Sequence, residues 1–250
     1  MTTGDIAEAY GAEMFARYAY APNDLGYCGP PNSSGLLAGT RDEIEKAARQ
    51  FSGAWPYLEV MSRMTEIPDP LDRRLVESYW LGGGIGSELN SRAFIAELLA
   101  IIGPQAGHYW AHLTEELADE ARPNHCFHVF GVYPWSRLLG KGSDDQPLTV
   151  LDNCRISWGT VLSTDGVTAR VVTQRLCWTR SFLSLSPPQT HPVGVRAEGA
   201  GEVVVGQGDL VAMHWGRVCD RLTPERMARL KDSTDRQLVA TNRRLRKRAP

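Results

Sequence analysis

The thiols and imidazoles are the groups with which this chain could do chemistry. It carries five cysteines, Cys28, Cys126, Cys154, Cys177 and Cys219, and six histidines. The cysteines are odd in number, widely spread and form no C-x-x-C pair, so in a reducing compartment each stands as a thiol rather than half a disulfide. His125-Cys126-Phe127-His128 gathers three potential metal ligands. In an extended strand Cys126 and His128 share one face and His125 points away. Two ligands on one face make only half a metal site, and the same residues suit a buried thiol and a hydrogen-bonded histidine at a domain seam. Cys28 sits in Leu25-Gly26-Tyr27-Cys28-Gly29-Pro30, whose glycines let the backbone fold tightly around a thiol. That loop either presents a reactive cysteine or makes a tight connection. His108 and His112 share a helix face but lack the intervening glutamate of a zinc-hydrolase motif, and read as core or surface histidines. Cys177 and Cys219 read as packing or surface thiols.

The elements that must position these groups change character along the chain. Ile6, Tyr10, Met14, Phe15 and Tyr18 recur at helical spacing. The Pro- and Gly-rich stretch 21–31 reads as irregular. Thr40 and Glu43 form a capping box for a helix to about Gln50, Pro56 opens another that ends before Pro68, and further helices span Leu71 to Trp80, Ala93 to Ile102 (capped by Ser91) and Gln105 to Ala121. Gly82-Gly83-Gly84-Ile85-Gly86 has the glycine content of a phosphate loop but follows a helix and lacks the Lys-Ser/Thr that would complete one. After Pro123 the segments shorten and turn β-branched or aromatic. Phe127 to Tyr133, Leu148 to Leu151, Cys154 to Leu162, Val167 to Val172, Leu176 to Leu185, Glu202 to Val205 and Asp209 to His214 all read as strands, with Asp165-Gly166 as a hairpin turn. Thr223-Pro224-Glu225 starts a last helix. The expected fold is α+β: a helical bundle over residues 1–122, then an antiparallel β-barrel and a C-terminal helix over 123–250.

The barrel segment supports a resemblance. Cys154-Arg155-Ile156-Ser157-Trp158-Gly159, a strand, Asp165-Gly166 and then Ala169-Arg170-Val171 resemble the opening of the HypC/HupF family of hydrogenase maturation chaperones. Gly208-Asp209-Leu210-Val211-Ala212-Met213-His214-Trp215-Gly216 resembles that family's G-D-x-V-x-x-H-x-G block. The helix from Leu222-Thr223-Pro224-Glu225 matches the acidic helix that follows it. The resemblance implies an OB-like barrel and a non-catalytic role in nickel–iron hydrogenase maturation. Cys154 and His214 would then handle iron as a transient Fe(CN)2CO group, with a hydrogenase large subunit or a HypD-like maturation protein as partner. A thiolate is a soft donor for low-spin iron, and imidazole ligates beside it. Cys28, Cys126 and His128 are secondary candidates for the same metal. A cysteine-dependent enzyme built on Cys28 or the His125–His128 cluster, and a structural adaptor without iron, are the alternatives.

Bulk properties fit a globular protein. Hydrophobic residues make up 42%, charged residues 22%, and the net charge is −2, which gives no general pull toward nucleic acid or anionic membranes. No apolar run approaches the ~20 residues that span a bilayer, and Met1-Thr2-Thr3-Gly4-Asp5 lacks a signal-peptide pattern, so a cytoplasmic setting is expected. The basic run Arg243-Arg244-Leu245-Arg246-Lys247-Arg248 reads as a solvated tail or a docking patch.

Overall fold

The computed structural model describes residues 3–32, 34–37, 39–105, 112–179, 181–195 and 203–247, with side chains left aside for 3–10, 105 and 115. The side chains of Ile6 and Tyr10, all of His108, and Glu202 therefore lie outside the described residues. The structure is mixed: helices first, a five-stranded sheet and a two-stranded sheet next, and a C-terminal helix last.

Side-chain caps set the helix starts. Helix α1 covers Thr3–Asp24. Helix α2, Arg41–Ala48, opens on the expected Thr40–Glu43 capping box. Helix α3, Trp55–Thr65, has Pro56 in its first turn and ends at Glu66, whose φ of 57° breaks the helical path. Asp72 caps α4, Arg73–Leu81, by accepting from the Arg74 N–H. Asn90, rather than Ser91, caps α5, Ser91–Ile102, by accepting from Arg92 and Ala93. Helix α6 is Asp145–Cys154 and helix α7 is Pro224–Arg246, capped by Thr223 as expected.

Several expectations are corrected. Gln105 to Ala121 holds only 3-10 turns among its described residues, and 203–205 form no strand. Helix α1 runs through Pro22 to Asp24, into the stretch read as irregular. Its end is fastened by Asn23, whose Nδ2 donates to Cys28 O and Pro30 O and so fixes the loop that carries Tyr27 and Cys28. Phe127 to Tyr133 is not a strand. Asn124 caps a helical turn, His125–Phe127, which runs into a π-helix, His128–Val132. Gly131 is required there, because a Cβ would sit 2.5 Å from the Phe127 ring. Leu148 to Leu151 belongs to α6. Short apolar runs suit a strand or a buried helix equally in sequence, and here packing decides.

The strands are β1 Ser157–Thr164, β2 Thr168–Thr173, β3 Leu176–Thr179, β4 Phe182–Leu185, β5 Gln189–Gly194, β6 Leu210–His214 and β7 Arg217–Arg221. The order β1-β2-β5-β7-β6 closes on itself through the β1–β6 pairing, while β3 and β4 pair separately. Asp165-Gly166 makes the β1–β2 turn, with Asp165 Oδ1 accepting from Val167 and Thr168 and Gly166 at a φ of 88°. Gly159 must lack a side chain, since a Cβ would lie 2.4 Å from Val171 Cγ1. Pro192 lies within β5. Pro192 is tolerated because β5 meets β7 only at Gly194–Arg217, which leaves most of that side as an edge.

Packing ignores the 122/123 seam. One apolar core joins Phe15, Tyr57 and Leu75 of the helical part to Ile156, Trp158 and Ala212 of the sheet. The basic C-terminal run is mostly ordered helix, with Arg244 donating to Glu120 and to Phe130 O.

Candidate metal centre

Cys154 is the last residue of α6 and is buried. Its carbonyl accepts from His125 Nε2 at 2.8 Å, and the carbonyl of Asn153 accepts from the Trp215 amide at 3.0 Å. The end of α6 is thus tied to the 125–132 turn on one side and to the β6–β7 connection on the other. His214 closes β6, and its Nδ1 lies 2.7 Å from Tyr18 O of α1. Among the described residues, one ligand atom each from His125, Cys154 and His214 lies within 4.8 Å of the others.

The hydrogen bonds assign the tautomers. A carbonyl can only accept, so His214 carries its proton on Nδ1 and keeps a lone pair on Nε2. That Nε2 is buried and meets no hydrogen-bond partner, which is the arrangement of a ligand oriented through its other nitrogen. His125 differs. Its Nε2–H donates to Cys154 O, and its Nδ1 accepts from the Tyr79 hydroxyl at 3.1 Å, so both nitrogens are engaged. The centre therefore has two open donors, Cys154 Sγ and His214 Nε2, and a third that opens only if the Tyr79 bond breaks.

Burial sets the protonation states. It brings His214 down to about 4, partly opposed by backbone groups of Tyr18 and Cys154, and brings His128 down to about 3. His125 is held well below the usual histidine range by burial, then by His214 and His128. All three are neutral near pH 7, as ligation requires. The Cys154 thiol is pushed up by burial, with Cys28 adding to the rise and Trp215 opposing it, so a metal must displace a proton to bind there.

These groups border a cavity of about 300 Å³ between the two parts of the chain, whose wall also includes Cys28, Trp80, His128 and Tyr133. Cys28 thus joins the site, but burial raises its thiol to about 12, the opposite of an activated nucleophile. Cys126 does not join. The helical turn swings His125 and His128 to one side, their rings 5.9 Å apart, and directs Cys126 toward Thr234 of α7. The strand-based assignment of faces is therefore reversed: His125 belongs to the centre and Cys126 does not. Asn124, a good helix N-cap after Pro123, is the sequence signal that could have revealed this. Trp80 and Trp215 were also missed, because indole groups carry no ligand signature. Cys219 is buried apart from the cavity, Cys177 is half-buried, and His112 bonds Val132 O.

The family signature of DUF6390, a family of unknown function, matches residues 7–248. The chain belongs to the DUF6390 family. The DUF6390 match spans both parts of the chain, so every residue of the cavity lies within it. No curated protein and no solved structure matches the chain. Among the described residues of this DUF6390 protein, no helix is long and apolar enough to cross a membrane.

Proposed function

We propose that this DUF6390 protein is an accessory factor of nickel–iron hydrogenase maturation, cytoplasmic, that transiently holds an iron fragment on Cys154 and His214. The observation that carries the reading is convergence. The cysteine and histidine of the two HypC-like blocks meet, with His125, within 4.8 Å at a buried cavity. In this reading the closed five-stranded sheet is an OB-like barrel, and the helical part completes the site by supplying His125, His128 and the wall.

The donor set suits cargo better than a resident ion. A structural zinc site closes with four protein ligands, whereas two open donors suit an iron that brings its own ligands. An Fe(CN)2CO group brings three. Cys154 ends a helix rather than starting a chain, so its nitrogen is a peptide N–H and only Sγ can bind. A soft thiolate beside a neutral imidazole fits low-spin iron. The group reaches or leaves the site through a hydrogenase large subunit or a HypD-like partner.

The test is anaerobic co-purification with each partner, followed by infrared spectroscopy. The expected result is a stable complex with C≡N and C≡O bands that disappear in Cys154→Ser. Absence of both partner and bands, or function that survives Cys154→Ser and His214→Ala together, sinks the proposal in favour of an iron-free adaptor.

A further inference from the structure

Four buried polar atoms outside any well-aligned hydrogen bond belong to residues on the same cavity wall: Trp80 Nε1, His128 Nδ1, His214 Nε2 and Trp215 Nε1, the last of which lies close enough to Cys154 Sγ to ease its thiol. A buried polar group left unanswered is costly, so their gathering around one space calls for a polar occupant. They differ in kind. An indole nitrogen can only donate. His214 Nε2 offers only a lone pair, as does a Cys154 thiolate. A bare cation would suit the lone pairs and be repelled by the N–H groups. A free anion would suit the N–H groups and be repelled by the lone pairs. A metal that carries anionic, acceptor-bearing ligands suits both.

We propose that the Trp80 and Trp215 indole N–H groups donate hydrogen bonds to cyanide-type ligands on the metal held by Cys154 and His214, and thereby select cyanide over carbonyl at those positions. This rests on the iron-handling reading of the site. The nitrogen of a metal-bound cyanide keeps a lone pair and negative charge, while a carbonyl oxygen is a far weaker acceptor.

Both rings are packed against the residues of the site. Trp80 stacks on Tyr18 at 5.4 Å, and its ring lies 4.8 Å from His125 and 5.9 Å from His214. Trp215 follows His214 directly and has a φ of 50°, a left-handed conformation unfavourable for a bulky side chain. The β6–β7 turn would be better served by Asn or Gly there. Instead a tryptophan is held in place by its backbone N–H, which donates to Asn153 O beside Cys154, and by stacking on Tyr27 at 3.8 Å. Its position is explained by what its ring reaches, not by the turn.

The experiment uses the intact protein loaded anaerobically with ferrous iron and cyanide, read by infrared spectroscopy and metal analysis. The expected result is a C≡N band that shifts in D2O and again in Trp80→Phe and Trp215→Phe, with iron content unchanged and cyanide retained about tenfold less tightly in each variant. Phenylalanine keeps the packing and removes the donor; should either variant fail to fold, the D2O shift in the wild type decides. A band indifferent to D2O and to both substitutions overturns the proposal, as does iron held without cyanide, and both leave the iron-handling reading in place. Wild-type protein that takes up neither iron nor cyanide overturns both.

Discussion

Two buried polar regions lie side by side in sequence and are built on opposite terms. Arg155, immediately after Cys154, is as deeply buried as the metal candidates, yet its polar neighbourhood is answered. Its Nε donates to Asp152 Oδ1 at 2.9 Å and its NH2 to Gln174 O, while Asp152 also accepts from the Leu176 amide and from Arg175. This network ties α6 to β3 and the strand connections. In the cavity one residue away, four polar atoms have no well-aligned hydrogen bond. Around Arg155 the polar groups bond one another and fasten elements together, whereas those on the cavity wall are left open. Open groups beside satisfied ones mark a binding site more sharply than burial alone.

That contrast can be broken or sharpened by experiment. Asp152→Ala leaves the Arg155 guanidinium buried without its carboxylate, and we expect a loss of about 3–5 kcal/mol of stability by urea denaturation. Loss of that size from Cys154→Ser instead would erase the distinction. We expect Cys154→Ser and His214→Ala each to weaken cobalt(II) binding about 100-fold, or about 2.7 kcal/mol, with the sulfur-to-cobalt charge-transfer band absent from the first; Cys154→Ser should change stability by under about 1 kcal/mol, and His214→Ala should cost about 1–3 kcal/mol because Tyr18 O loses its donor.

The histidines give a pH test. Their folded pKa values lie below the ordinary 6.5, so the unfolded chain binds protons first as the medium is acidified. Stability is full above about 6.5 and declines as pH falls toward about 4 for His214 and about 3 for His128, at up to about 1.4 kcal/mol per pH unit for each residue. His128→Gln should flatten the decline by one histidine's share, measured by urea midpoints across that range. The smallest effect is expected from Tyr79→Phe. It frees His125 Nδ1, costs about 1 kcal/mol of stability, and tightens cobalt binding about fivefold by opening the third donor. Unchanged affinity would show that His125 acts only by orienting Cys154.

The sequence disclosed local chemistry better than packing. Thr40 with Glu43, Thr223 before Pro224, and Asp165-Gly166 each specify their turn or cap within a few residues, and each forms as read. The resemblance in two blocks singled out Cys154 and His214, which do meet. What escaped was decided at a distance. The Phe127 to Tyr133 segment has strand-like composition but is buried all round as a π-helix, and that one change exchanges His125 for Cys126 at the site. Trp80 and Trp215 became visible only once the cavity existed for them to border.

The bond from His214 to Tyr18 O has a consequence for the order of events on the ribosome. Its partners are 196 residues apart, so the imidazole acquires its fixed tautomer only after the strand that bears it has been synthesised and has docked on a helix made long before. A nascent or truncated chain that already displays Cys154 lacks an oriented His214. The cavity wall that needs both groups is thereby assembled only in finished molecules.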